Sequence, residues 1–350
     1  SVLVSSASMA ADLTVVSWGG AYTKSQVEAY HKPWMAKTSK SIVSEDYGGG
    51  IAEIKAQVES GNVTWDVVDV ELSDAIRACD EGLLETIDHS TLPAAPDGTP
   101  ATEDFLPGTL HDCAVANIVW SSVYAYDSSK TRNWNTPTTM ADFFNTKAFP
   151  GKRGMRKSPK VTMEFALIAD GVPVSEVYDV LGTEEGVARA FAKLDTIKDD
   201  VIWVSAGSDT PQLLADGEVI MGATYNGRLF ALIEEQKQPV GMIWDGQVMD
   251  LDGWIIPTGL SPERQARALD YIMFATDTTR LADQAAYISY GPARASSAPL
   301  VGKHAELGIE MGPHMPTAPE NLKRAFLMNY DFWADYRDDL DAKFQAWLAK

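Results

Sequence analysis

Apolar residues recur along this chain with two periods, and the alternation between them sets the expected architecture. Leu13 to Trp18 is a short apolar run that predicts a strand, ending at the turn Gly19-Gly20-Ala21-Tyr22. A helix is expected from about Ser25 to Thr38, kinked at Pro33 because proline lacks the N–H that a helix interior needs. Ile42 to Tyr47 predicts a second strand, Gly48-Gly49-Gly50 a turn, and Ile51 to Ser60 a helix with Ile51, Ile54 and Val58 on one face. Trp65 to Val70 is the next strand, and Ser73 is the expected cap of a helix that stops at Gly82. Strand and helix alternating in short units predict an α/β fold with a largely parallel sheet.

Beyond the Pro/Gly/Thr-rich stretch Pro93 to Pro107, the runs Cys113 to Trp120 and Val123 to Tyr126 predict long central strands. A second series follows, with helices near Met140 to Asn145, Met163 to Ala169, Glu184 to Leu194 and Pro211 to Asp216, and strands at Val201 to Val204 and Val219 to Tyr225. Gly241 to Pro257 alternates apolar residues with acids for long enough to be a strand. Ser261-Pro262 predicts an N-cap with proline in the first turn of a helix reaching about Ala275, and helices at Glu320 to Asn329 and Asp331 to Leu348 end the chain.

Length turns this pattern into two lobes, because 350 residues exceed what one compact core usually holds. The formal charge of -20 argues against a nucleic-acid surface, which needs a basic stripe, and is compatible with drawing in cations or simply with solubility. Residues 1–11 read as the tail of an apolar segment followed by small residues, with Ser8-Met9-Ala10 fitting a small-x-small cleavage site. The expectation is a signal-peptide remnant and an exported protein; the alternative is a short disordered arm. In such a protein Cys79 and Cys113 invite a disulfide, which would stabilise by up to ~4 kcal/mol, and two independent buried thiols are the alternative.

Candidate chemistry centres on the 241–257 strand. Asp250 and Asp252 are one strand period apart and face the same side, and Trp244 and Trp254 offer flat walls that would favour a bound ammonium by roughly 0.5 to 2 kcal/mol. The plainer alternative is a surface hairpin with solvated acids. Enzyme signatures are missing: there is no Gly-x-Ser-x-Gly elbow, Walker A loop, Gly-x-Gly-x-x-Gly or His-Glu-x-x-His. The five histidines are scattered, so neither a catalytic centre nor a metal or cofactor is expected.

Five ordered stretches carry a resemblance: Ser17 to Tyr22, Asp66 to Glu71, Gly222 to Arg228, Pro239 to Trp244 and Asp252 to Pro257. In this order and spacing they resemble the periplasmic spermidine/putrescine-binding proteins of ABC importers. The resemblance implies two α/β lobes, each a mostly parallel sheet flanked by helices, joined by hinge strands and closing around a ligand in a cleft. The first lobe would hold residues 12–117 and 250–300, the second 118–249 and 301–350. Carried over residue by residue, it implies that Trp18 and Tyr22 line an amine channel, with Glu71 and Glu164 as polar contacts. Tyr225 stands where the family has a tryptophan, Asp252 matches the acid that pairs an ammonium, and Tyr290 matches a tyrosine before a proline-containing turn. Trp254 joins this set as the aromatic neighbour of Asp252.

Two departures from that family matter. Glycines replace the acid that putrescine-binding relatives place between the first-strand tryptophan and tyrosine, and Arg228 stands where such relatives can hold a second acid. A guanidinium there repels a diamine and suits a carboxylate; its alternative is a scaffold role, capping a helix or pairing with Glu71 or Asp252. The expected function is therefore a monomeric periplasmic solute-binding protein delivering a polyamine or an amine such as 4-aminobutyrate to an inner-membrane ABC permease. A ligand-sensing module for a membrane receptor and a ferric-ion-type binding protein are the alternatives.

Overall fold

Leu13, Val15 and Val16 are completely buried and open the first strand of a computed structural model that describes residues 11–206 and 209–350. The signal-peptide reading falls almost wholly on residues outside that range. In chain order the strands are β1 (Leu13–Ser17), β2 (Ile42–Asp46), β3 (Val67–Glu71), β4 (Leu110–His111), β5 (Ala114–Asp127), β6 (Arg153–Arg156), β7 (Val201–Val204), β8 (Met221–Tyr225), β9 (Val240–Ile255), β10 (Gly291–Pro292) and β11 (Phe326–Leu327). The two runs expected after Cys113 are a single fourteen-residue strand, β5, apolar enough to be buried on both faces.

The chain divides into two compact units. The first comprises the described residues up to Asn117 together with Asp252–Tyr287 and Ala293–Leu300. Its strands β1 and β2 run parallel with Leu13 beside Ile42, β1 and β3 run parallel with Val15 beside Val67, and β3 meets β9 antiparallel. That last register sets Asp69 opposite Trp254 and Glu71 opposite Asp252. Gly253 is required here, since a Cβ on it would lie 2.9 Å from the Val115 carbonyl oxygen. The helix expected from Ser25 begins earlier, at Gly20, and its irregularity lies upstream of Pro33. A wide π turn over Val27–His31, in which the Lys32 amide donates to the Val27 carbonyl, leaves Pro33 in the first turn of the helix Lys32–Thr38. Glu71, not Ser73, is the N-cap of the helix Leu72–Asp80. Cys79 and Cys113 form a disulfide.

The second unit comprises Ile118–Leu251, Ile288–Pro292 and Val301–Lys350. In it β5 and β8 are antiparallel with Ser122 opposite Tyr225, while β6 runs parallel to both β8 and β7. The sheets are thus mixed rather than mostly parallel. Val123, Leu214, Val219, Leu229 and Leu232 form a buried core there, with Trp244 packed at its edge. Glu320 to Asn329 is not the expected helix. Asn321 turns its amide onto the Pro313 and Met315 carbonyls, and Phe326–Leu327 pairs in parallel with β9. Pairing with a distant strand overrides the local helical pattern. No helix of the described residues is long and apolar enough to cross a membrane.

Candidate functional site

In the first unit, aromatic side chains and acids gather around the C-terminal end of β3. Val67, Val68 and Val70 make β3 a buried strand, and Asp69, set among them, is completely buried too. Its carboxylate accepts from the Tyr22 hydroxyl at 2.9 Å, the Asn117 amide at 2.6 Å, the Trp18 indole at 3.2 Å and the Gln26 amide. The Tyr47 hydroxyl donates to the Asp69 carbonyl at 2.9 Å. These bonds favour the charged carboxylate, yet burial outweighs them and raises the Asp69 pKa to about 7.

Trp18 and Tyr47 stand 5.2 Å apart, centroid to centroid, and both are half-buried. Gly49 makes that seat possible, because a Cβ on it would come within 2.4 Å of the Trp18 ring. Asp252 is nearly buried, and its charge helps to push the Tyr22 and Tyr47 hydroxyls well above their ordinary pKa, after the larger effects of burial and Asp69. Asp74 and Glu71 add to the same field at Tyr47. Rings ringed by carboxylates suit an organic cation.

The second unit presents the opposite charge. Tyr225, at the end of β8, stands edge-on to Trp120 with centroids 5.1 Å apart and accepts a hydrogen bond from the Arg156 guanidinium at 2.6 Å. Arg228 lies over the Tyr225 ring at 5.9 Å and has no carboxylate partner among the described residues. Tyr290 packs on Gly227, where a Cβ would lie 2.6 Å from its ring. Two exposed guanidinium groups on one half-buried tyrosine suit a carboxylate.

The first cluster thus brings together Trp18, Tyr22, Glu71 and Asp252 of the sequence-derived set; the second brings together Tyr225, Arg228 and Tyr290. Two members of the set fall elsewhere. Trp254 is completely buried, its ring edge-on to Tyr30 and Tyr271, so it is spent on the core of the first unit and walls no site. Glu164 is completely buried in the second unit and accepts from the Tyr178 hydroxyl and the Trp333 indole, which makes it a link between helices. Asp250, expected to share the task of Asp252, is buried and ion-paired with Lys160 at 3.1 Å. Sequence reasoning missed Asp69, Tyr47, Asn117 and Arg156. An acid set among valines in a buried strand was the one available signal, at Asp69.

Solved binding proteins share this α/β fold. One, the periplasmic binding protein MotA from A. tumefaciens B6 in complex with glucopine, is 29% identical with a TM-score of 0.82, covering 96% of this chain and 99% of that one. A second, described as a GABA receptor, is 31% identical with a TM-score of 0.81, covering 97% and 98%. A family profile described as bacterial extracellular solute-binding protein matches residues 37–317. The chain belongs to that family, whose members bind small solutes and are not enzymes. The gamma-aminobutyric acid-binding protein of Pseudomonas aeruginosa is 41% identical over 338 residues, 97% of this chain and 91% of that protein. The narrower likeness to spermidine/putrescine-binding proteins is distant. Such a protein from Streptococcus pneumoniae is 14% identical with a TM-score of 0.70, covering 96% of this chain and 99% of that one, which shows the fold alone.

Proposed function

We propose that this protein binds 4-aminobutyrate, or an ω-amino acid much like it, in the periplasm and delivers it to the permease of an ABC importer. What supports this reading most is the chemistry of two clusters, each within its own unit: acids and rings around Asp252, and two guanidinium groups on Tyr225. The ligand's ammonium suits the first cluster, through Asp252, Glu71 and the faces of Trp18, Tyr22 and Tyr47. The second cluster, taken by itself, suits a carboxylate, through Arg228 and Arg156 with Tyr225 and Tyr290 beside them. The P. aeruginosa relative is named for the same ligand. A guanidinium group repels an ammonium, and at ~4 Å with an effective dielectric near 20 that repulsion approaches ~4 kcal/mol, which disfavours a diamine.

Calorimetry with 4-aminobutyrate, putrescine and spermidine tests the reading. The expected result is a preference of several hundredfold (roughly 3 to 4 kcal/mol) for 4-aminobutyrate over putrescine, most of it erased by Arg228→Ala. Asp252→Asn should weaken binding by about 2 to 5 kcal/mol, the cost of leaving an ammonium unpaired. The density of acids around Tyr47 favours a second reading, a polyamine ligand. Tight putrescine or spermidine binding with none of 4-aminobutyrate would establish it and end the first.

A further inference from the structure

We propose that Asp69 is a positioning residue for the amine end of the site: from beneath the aromatic cluster it fixes Trp18, Tyr22 and Tyr47, and its negative charge sets the affinity for a cationic ligand. This rests on the reading of the ligand as an amine.

The geometry has two layers. Trp18 and Tyr47 form the outer one, half-buried and tilted 44° to each other. Asp69 is the inner one, completely buried, and three ring-bearing side chains hang from it: Trp18 and Tyr22 on its carboxylate, Tyr47 on its carbonyl. Gln26 and Asn117 donate to the same carboxylate, so that its Oδ2 accepts three hydrogen bonds and its Oδ1 one, all from within the unit. Asp69 is completely buried beneath the rings. Its influence on the ligand passes through the rings.

Charge gives that arrangement a purpose. A buried carboxylate is costly, and the largest effects on Asp69 besides burial are the four hydrogen bonds it accepts from neutral side chains. The titratable groups facing it are the hydroxyls of Tyr22, Tyr30, Tyr47 and Tyr271, with Asp252 as a second acid beside Tyr22 and Tyr47, and Asp283 and Arg280 beyond Tyr30. The negative charge of Asp69 beneath the rings favours an arriving ammonium. A phenol or indole that donates to a carboxylate also becomes richer in electrons, which strengthens its attraction for a cation at its face.

Protonation of Asp69 removes one negative charge, so affinity should fall as pH drops below about 7, by at most about tenfold per pH unit for one proton. The test is calorimetry with 4-aminobutyrate from about pH 5.5 to about 8.5 on the wild type, Asp69→Asn and Tyr22→Phe. The wild type should weaken in acid. Asp69→Asn should bind at all pH values about as weakly as the acidified wild type. Tyr22→Phe should bind more weakly than the wild type but keep its pH profile. A purely structural role predicts a lower melting temperature for Asp69→Asn with the wild-type profile intact, and that result overturns the proposal. Should the Asn variant fail to fold, the Trp18 indole N–H resonance of the free wild type decides: movement over the same range supports the proposal, and a flat resonance ends it. A wild type that binds putrescine but ignores 4-aminobutyrate overturns the ligand reading alone, and the same comparison is then made with putrescine.

Discussion

The carboxyl of Glu164 lies in the first turn of the helix Thr162–Ala169, completely buried, with Tyr178 and Trp333 as its donors. Burial raises its pKa to about 7, against 4.5 for a free glutamate. Between those values the folded protein holds a proton that the unfolded chain has released. The contribution is therefore fully present below about pH 4.5 and is lost as pH rises through about 7, a difference on the order of 3 kcal/mol. Glu164→Gln keeps an acceptor for both donors and cannot ionise. Its melting temperature relative to the wild type should rise from pH 4.5 to pH 8, with ligand affinity unchanged. A clear loss of affinity would return Glu164 to the binding site. At this scale the sequence was only partly legible. Asp252 and Arg228 stood out because a charge in an apolar strand, or after an aromatic turn, is visible in one dimension. Trp254 and Glu164 misled because a tryptophan or a glutamate looks the same whether it faces a ligand or the core. Tyr47 and Arg156 were invisible, since each joins its cluster through a partner far along the chain, Asp69 and Tyr225.

Among elements, those specified by neighbouring residues were readable. Ser261 and Pro262 start a helix, and the helix Pro262–Ala275 follows, with the Ser261 hydroxyl accepting from the Arg264 amide. β9 was readable for the same reason, its mix of apolar residues and acids extending over sixteen residues. Elements that depend on distant partners were not, as β11 shows. The disulfide is intermediate: an even cysteine count suggests it, but only folding brings residues 34 apart in sequence to a Cα separation of 5.9 Å. Replacing Cys79 and Cys113 together by serine should destabilise the protein by about 3 to 4 kcal/mol through the freed loop, lowering the melting temperature by several degrees. Neither thiol belongs to the aromatic clusters, so affinity for the ligand should survive. A double variant that melts with the wild type would show that the loop is already constrained without the bridge.

At the level of the whole molecule, both units are mixed α/β structures, and the antiparallel pairs β3 with β9 and β5 with β8 are what the alternation of strand and helix could not reveal. Periodicity reports which residues are buried, not which strand lies alongside. The same pairing makes each unit discontinuous: the first takes Asp252–Tyr287 and Ala293–Leu300 from beyond the bulk of the second, and the second takes its long C-terminal helix, Tyr330–Leu348, from the last residues of the chain. A fragment ending at Leu251 should therefore be cut readily by protease within residues 12–117, where the full chain resists; resistance in the fragment would show that β3 holds without its partner.

That discontinuity also orders events in time. A ribosome that has made β3 must add well over a hundred residues before the strand that pairs with it exists, and the helix Tyr330–Leu348 of the second unit emerges later still. Domains usually fold one after another as they emerge. Here the first unit cannot close until most of the second has been made, and a polypeptide that stays open that long is one that can still be threaded through a membrane pore.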